Sequence, residues 1–280
     1  MNHIELYNST ALKCSKIITK DYSTSFSLGI QTLNKKLHFP IYGIYGYVRY
    51  ADEIVDTFHD YDKKTLLDRF RRDTYLAIEE GISMNPVLHS FQMMVNKYKI
   101  ERELIDSFLY SMEMDLYEQD YDSETYKKYI YGSAEVVGLM CLRVFCEGDT
   151  AQYDSLKDSA KSLGAAFQKV NFLRDMKSDF QERGRVYFPG VDFNKFDSEV
   201  KALIEADIQK DFDHAYEGII RLPKSARAGV YLAYVYYLKL FTKIKESSTT
   251  TVLEERIRVP DFKKMTLLVS TLFKKQMNYI

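Results

Sequence analysis

Apolar residues return along this chain at helical intervals almost from end to end. Leu67, Phe70, Thr74, Ala77 and Ile78 fall on one face of a 3.6-residue period, and Gly81 closes that segment. Asn85-Pro86 is a cap followed by a first-turn proline, and it opens a helix through Tyr98. Comparable stretches predict helices over 102–116, 123–146, 150–180, 200–220, 225–246 and 261–277. The rhythm breaks in few places. Glu182-Arg-Gly-Arg-Val-Tyr-Phe-Pro-Gly190 reads as a loop, its Val186 to Phe188 denied to a strand by Pro189 and the flanking glycines. Ser247-Ser-Thr-Thr-Thr251 reads as a second, polar break. With no internal repeat and no low-complexity linker, the 280 residues read as a single all-α domain.

One segment departs from the usual two-faced helix. Ile41 to Phe58 is apolar and aromatic nearly all round, as in a helix buried within a larger protein, with Pro40 expected in its first turn. Its polar residues form one stripe: Tyr45, Arg49, Asp52 and Asp56 stand at i, i+4, i+7 and i+11. A buried, unpartnered carboxylate costs several kcal/mol or neutralises itself, so a cation is the natural compensation for Asp52 and Asp56. A matching stripe of Gln168, Asn171, Asp175 and Asp179 follows much later, with Arg174 beside it. Two facing stripes of oxygen donors suit Mg²⁺, which binds through a few carboxylates together with phosphate oxygens, and so suit chemistry on a diphosphate.

Composition narrows the classes. Hydrophobic residues make up 46% and charged residues 28%, which supports a sizeable core, and the net charge of −1 argues against a nucleic-acid partner. No basic leader and apolar run suggests a secretory signal, and no apolar stretch approaches the length of a membrane span, so a cytoplasmic protein is expected. Cys14, Cys141 and Cys146 lack zinc spacing and read as thiols in a reducing compartment. The 23 tyrosines and 17 phenylalanines read as core packing, or as the walls of a long apolar channel able to stabilise a passing cation. No phosphate-binding glycine loop, dinucleotide turn, serine elbow or His-Glu-x-x-His helix appears, and the five histidines are scattered.

At this point the motifs resemble a known family, the squalene and phytoene synthases. Arg49-Tyr-Ala-Asp-Glu-Ile-Val-Asp56 is similar to that family's first aspartate signature and Gln168 to Phe180 to its second. Ser23-Thr-Ser-Phe-Ser27, Tyr129 to Gly138 and Gly184-Arg-Val-Tyr-Phe-Pro189 resemble three further segments, in the family's order and across nearly the whole chain. The resemblance implies an isoprenoid-synthase helical bundle around a central cavity. It implies Mg²⁺, or Mn²⁺ in its place, held by Asp52, Asp56, Asn171, Asp175 and Asp179, with Arg49, Arg174, Gln168, Ser23 and Ser25 on the diphosphates. Tyr45, Tyr129 and Tyr236 would line the reaction cavity. Two departures stand out: Tyr22 replaces a histidine common in relatives, and Glu135 occupies a position often small, where it could alter the polarity near Tyr129.

The reaction implied is head-to-head joining of two prenyl diphosphates. The Asp-Glu-Ile-Val-Asp form of the first signature favours phytoene synthesis from two geranylgeranyl diphosphates, ending by proton loss, so NADPH is not expected. Squalene or dehydrosqualene synthesis from farnesyl diphosphate is the alternative. The chain closes on the charged, amphipathic stretch from Asp261 to Phe273 rather than on an apolar anchor, and with a hydrocarbon product a peripheral membrane association is expected. A prenyl elongase, a terpene cyclase and a non-catalytic assembly factor of the same fold remain rivals. Against the elongase, the second stripe begins with asparagine, and against the assembly factor, the aspartates are present.

Overall fold

Side-chain caps decide where many of the helices begin. A computed structural model describes residues 2–117, 121–191 and 196–276. It contains α1 (His3–Tyr22), α2 (Thr24–Thr32), α3 (Lys35–Asp56), α4 (Lys63–Glu80), α5 (Pro86–Tyr98) and α6 (Arg102–Tyr117). After these come α7 (Ser123–Ile130), a π-helical turn (Tyr131–Glu135), α8 (Val136–Cys146), α9 (Thr150–Arg183), α10 (Ser198–Ile219), α11 (Lys224–Glu246), α12 (Thr249–Glu254) and α13 (Asp261–Gln276). Asp62, Asn85, Asp149 and Asp197 each accept a hydrogen bond from a first-turn amide, satisfying donors the helix cannot. Gly81 closes α4 and Gly184 closes α9 in the left-handed conformation open to glycine.

Three boundaries differ from the sequence expectation. Asn34 caps α3, so that helix starts at Lys35 and Pro40 lies inside it rather than opening it. The ring is accommodated at the cost of one backbone hydrogen bond. The polar run after Ser247 is a cap, with Ser248 accepting from the Thr251 amide to start α12. α9 continues to Arg183, into the stretch expected to be loop. Beyond it, Val186 to Phe188 form no strand, and the expected end of the last helix, Met277, lies outside the described residues.

Two apolar clusters carry the bundle. In the first, α3, α4, α5, α6 and α8 meet around Tyr47, which stacks on Phe91 with ring centroids 3.7 Å apart. In the second, α9, α10, α11 and α12 enclose Phe212, Phe241, Ile244 and Val252. Each such side chain removed from water contributes about 1.5–3 kcal/mol. On the outer side of α9, the buried Lys169 ammonium binds Asp207 and Asp211 of α10, the latter at 2.8 Å, pinning the two helices together.

From Ser123 to Cys146 the chain is helical without a break, long and apolar enough by composition to cross a membrane, contrary to the reading of the sequence alone. Half of it is buried inside the protein, as in a core helix. Its π-helical turn holds one residue too many for an α-helical turn. Gly132 in that turn packs where a Cβ would stand 2.4 Å from the Ser107 carbonyl, and Gly164 of α9 lets the Ala134 carbonyl approach from the other side. The widened turn is wedged between α6 and α9 because both contacts lack side chains.

Candidate active site

Between the two clusters lies a cavity of about 620 Å³, walled by α2, α3, the π turn with α8, α9, α11 and the end of α10. α9 contributes one continuous stripe to it. Leu156, Ala160, Leu163, Gly164 and Phe167 face the cavity from its first half, and Gln168, Asn171, Asp175 and Asp179 from its second. The spacing of three and four keeps every one of these on the same helix face. α3 runs opposite with Ile41, Ile44 and Val48 below Tyr45, Arg49, Asp52 and Asp56. One end of the cavity is therefore lined with oxygens and guanidinium groups, and the other with small and aliphatic side chains.

The two stripes predicted from the sequence thus open on the same space. Ser23 joins them as the residue that ends α1 and caps α2, its hydroxyl accepting the Phe26 N–H at 3.2 Å. Tyr45 is pushed up to about 12 by burial, so it holds its proton at neutral pH and can donate. Arg49 pairs with Glu53 and, at 3.8 Å, with Asp52, lies 4.4 Å from the Tyr22 ring, and keeps its buried Nε without a hydrogen-bond partner among the described residues. Tyr22 therefore forms part of the rim. Across the cavity, Arg174 grips the Asp175 carboxylate with Nε at 3.0 Å, and Arg256 approaches it at 2.8 Å.

Two expected residues fall elsewhere. Ser25 does not line the cavity, because Tyr22, Phe26, Gly29 and Leu33 define the inward face of this segment and Ser25 sits about 100° away from Phe26 around the axis. Tyr236 does not line the cavity; it is half-buried beside it, with the Lys264 ammonium 5.7 Å from its ring and its hydroxyl within electrostatic reach of Arg174. Its neighbour Tyr237 takes the inward position, stacked on Phe167 at 3.9 Å and donating to Asn171 Oδ1 at 3.3 Å. Glu135 also faces away from the cavity, toward Lys161, Lys169 and Asp211, and burial raises its carboxyl. The partner of Tyr129 is instead Asp115.

Asp115 is the residue that the sequence reading missed. It is buried in α6, accepts from Tyr129 at 2.8 Å and from Tyr187 at 3.3 Å, and forms an ion pair with Arg185 Nη1 at 3.1 Å. Arg185 also donates to the Asp115 backbone carbonyl at 2.5 Å and reaches Asp56 at 3.5 Å. Gly184 makes this possible by reversing the chain, so that the Arg185 N–H caps the Asp179 carbonyl at 2.9 Å. Burial pushes the Asp115 carboxyl up to about 6 against the opposing pull of Arg185. A signal existed in the sequence: Phe108, Ser111, Met112 and Asp115 share one helix face, so this acid is in phase with a buried stripe. Arg256 offered no such signal, since it follows α12 on irregular chain.

The donor set at the polar end consists entirely of oxygens, four carboxylates and the Asn171 amide, which fits a hard divalent cation. Among the described residues no three His, Cys, Asp or Glu side chains converge on one point, so an ion there would need ligands from a bound anion or water. The arrangement can hold an amphiphile, its anionic head among cations and guanidinium groups and its apolar tail below. Its elements and order are those of one enzyme family. Residues 19–263 match squalene/phytoene synthase, and the chain belongs to that family, whose members are prenyltransferases. The chain is 28% identical over 289 residues to a phytoene synthase of Arthrospira platensis, covering 93% of this chain and 92% of that protein. It is 24% identical over 269 residues to a 4,4'-diapophytoene synthase of Staphylococcus haemolyticus, covering 88% and 91%. In fold it is similar to a dehydrosqualene synthase crystallised with a ligand, with a TM-score of 0.81, 21% identity and coverage of 96% and 98%.

Proposed function

We propose that the protein is a phytoene synthase that joins two geranylgeranyl diphosphates head to head, with Mg²⁺ at the polar end of the cavity. The observation that carries this reading is the single cavity whose mouth bears both acid stripes and whose depth is apolar. Asp52, Asp56, Asn171, Asp175 and Asp179 would hold the metal, with Mn²⁺ as a substitute. When bound, the metal would act as a Lewis acid on the diphosphate oxygens. Arg49 and Arg174, joined by Arg256, would turn from their present carboxylate partners to phosphate, which suits the planar fork of a guanidinium. Gln168 and Ser23 would add hydrogen bonds.

Head-to-head joining requires two ionisations. In the first, the C1–O bond of one substrate breaks and diphosphate departs. The double bond of the second substrate attacks C1, and loss of a proton closes a cyclopropylcarbinyl diphosphate. In the second, that intermediate loses its own diphosphate, rearranges to join the two former C1 carbons, and gives up a proton, so no NADPH is consumed. The protein's largest contribution is to stabilise the departing charge with fixed donors. Phe26, Phe167, Phe172 and the inward tyrosines exclude water and offer aromatic faces to the cations. Tyr45, Tyr129 and Tyr237 keep their protons because burial raises all three.

A second reading takes farnesyl diphosphate and yields dehydrosqualene or squalene, and it is favoured by the similarity to a diapophytoene synthase. Purified protein with Mg²⁺ and either substrate, with and without NADPH, separates these by the mass of the extracted hydrocarbon. A C40 product without NADPH supports phytoene synthesis, and a C30 product replaces it with the second reading. Intact substrate under all conditions overturns both. Asp52→Asn and Asp175→Asn are each expected to lower kcat by about 10²–10³, the loss typical of one preorganised electrostatic element.

A further inference from the structure

The Asp175 carboxylate is held by positive charge on two sides. Arg174 reaches both of its oxygens, with Nε 3.0 Å from Oδ1 and Nη2 on Oδ2, and Arg256 Nε stands 2.8 Å from the same Oδ1. Each oxygen is thus engaged by a guanidinium, and an ion on Asp175 would have to displace these groups or share an oxygen with them. A Mg²⁺ ion sits about 2.0–2.1 Å from its oxygen ligands, so sharing would press like charges together in a half-buried site. The first stripe is paired more loosely, with Arg49 Nη1 3.8 Å from Asp52 and Arg185 Nη1 3.5 Å from Asp56.

The two guanidinium groups on Asp175 differ in freedom. Arg174 belongs to α9 and its side chain is 20% exposed, whereas Arg256 stands between α12 and α13 with its side chain 54% exposed. The chain around Arg256 is fastened: Lys177 Nζ donates to the Glu254 carbonyl and Lys243 Nζ to the Arg258 carbonyl, both at 2.9 Å, and Ile257 and Val259 are buried in the second cluster. The backbone is held while the side chain is free to turn. A diphosphate offers a guanidinium several anionic oxygens in fork geometry, where Asp175 offers Arg256 one oxygen already shared with Arg174. On the facing helix, the buried Arg49 Nε has no hydrogen-bond partner among the described residues and is a donor in waiting. The mouth is therefore set to receive an anion before it can receive a cation.

We infer that Arg256 masks Asp175 from metal, and that a diphosphate binds ahead of the divalent ion and uncovers this ligand by drawing Arg256 onto itself. The inference rests on the reading of Asp175 as a metal ligand and holds for either prenyl chain length. It sets an order of assembly, with the diphosphate first on the guanidinium groups and the ion then on Asp175 together with phosphate oxygens. The donor set agrees, since among the described residues no three His, Cys, Asp or Glu side chains converge to hold an ion by themselves. Coupling between two ligands is reciprocal, so removing the mask makes metal binding depend less on diphosphate.

Binding measurements on the full chain test this without turnover. Mn²⁺ serves as the probe, its free ion counted by electron paramagnetic resonance. In the absence of diphosphate, Arg256→Gln is expected to bind Mn²⁺ about three- to tenfold more tightly than wild type, while Arg256→Lys, which keeps the positive charge, stays near wild type. Calorimetry of wild-type protein with inorganic diphosphate in the presence of EDTA is the second arm, and it stands whether or not the variants fold. Binding there is expected, and Arg256→Gln is expected to weaken it by about the same factor. An unchanged Mn²⁺ affinity in Arg256→Gln would overturn the inference, as would diphosphate that binds wild type only once metal is present. If no protein binds Mn²⁺ even with inorganic diphosphate added, the metal reading of Asp175 fails and the inference falls with it.

Discussion

Tyr236 and Tyr237 are adjacent and chemically identical, yet only Tyr237 lines the cavity. Tyr237 stacks on Phe167 and fixes Asn171 by a hydrogen bond of about average worth, roughly 0.5–1.5 kcal/mol. Tyr237→Phe is therefore expected to lower kcat by about two- to tenfold in steady-state turnover, while Tyr236→Phe stays near wild type. Arg185 presents a different problem, because its guanidinium offsets the charge of a carboxylate that is wholly buried. The folded Asp115 carboxyl titrates at about 6, above its ordinary 3.8. Its contribution to stability is accordingly complete below about pH 4 and is lost as the pH rises through 6. Arg185→Gln removes the largest of the forces holding that carboxyl down, so the loss deepens and extends to higher pH. Denaturant titrations should find the variant close to wild type at about pH 5 and about 3–5 kcal/mol less stable at about pH 8. An equal deficit at both values would mean that Arg185 does not act through Asp115.

At the scale of elements, the π turn depends on two glycines, one inside it and one on α9. Gly132→Ala would drive a methyl into the Ser107 carbonyl and the Ser111 side chain, and is expected to lower the unfolding free energy by about 1–3 kcal/mol, read as a shift in denaturation midpoint at constant slope. The helices themselves were largely legible, since their apolar periods run the length of each element and Asn85, Gly81 and Pro86 mark ends by local chemistry. Local signals misled where two of them competed. Pro40 pointed to a start, but Asn34 offered a stronger cap upstream of the proline. The serine and threonine run after α11 resembled a loop because a cap and a linker use the same residues. At the site, the polar half of α9 stood out against its surroundings, whereas its apolar half looked like any packed helix face. Arg256 reaches Asp175 only through the tertiary path of the chain beyond α12, and no spacing encodes that.

At the scale of the whole molecule, α9 connects the two apolar clusters and crosses the cavity from end to end. Its inward stripe changes character once, between Phe167 and Gln168. α3 changes in the same sense, from Ile41, Ile44 and Val48 to Arg49, Asp52 and Asp56. The protein thus offers a hydrophile–lipophile gradient of the kind a surfactant carries, already oriented before any isoprenoid-specific contact forms. A molecule entering tail-last would place its anionic head among Leu156, Ala160 and Leu163, where unpaired charge is heavily penalised. Unbranched alkyl diphosphates, which have neither an allylic bond nor methyl branches, should therefore compete with substrate and raise its KM while leaving kcat unchanged. Shortening the alkyl chain should weaken that competition in steps of roughly 0.8 kcal/mol per methylene, close to fourfold each, until the tail no longer passes the boundary at Phe167.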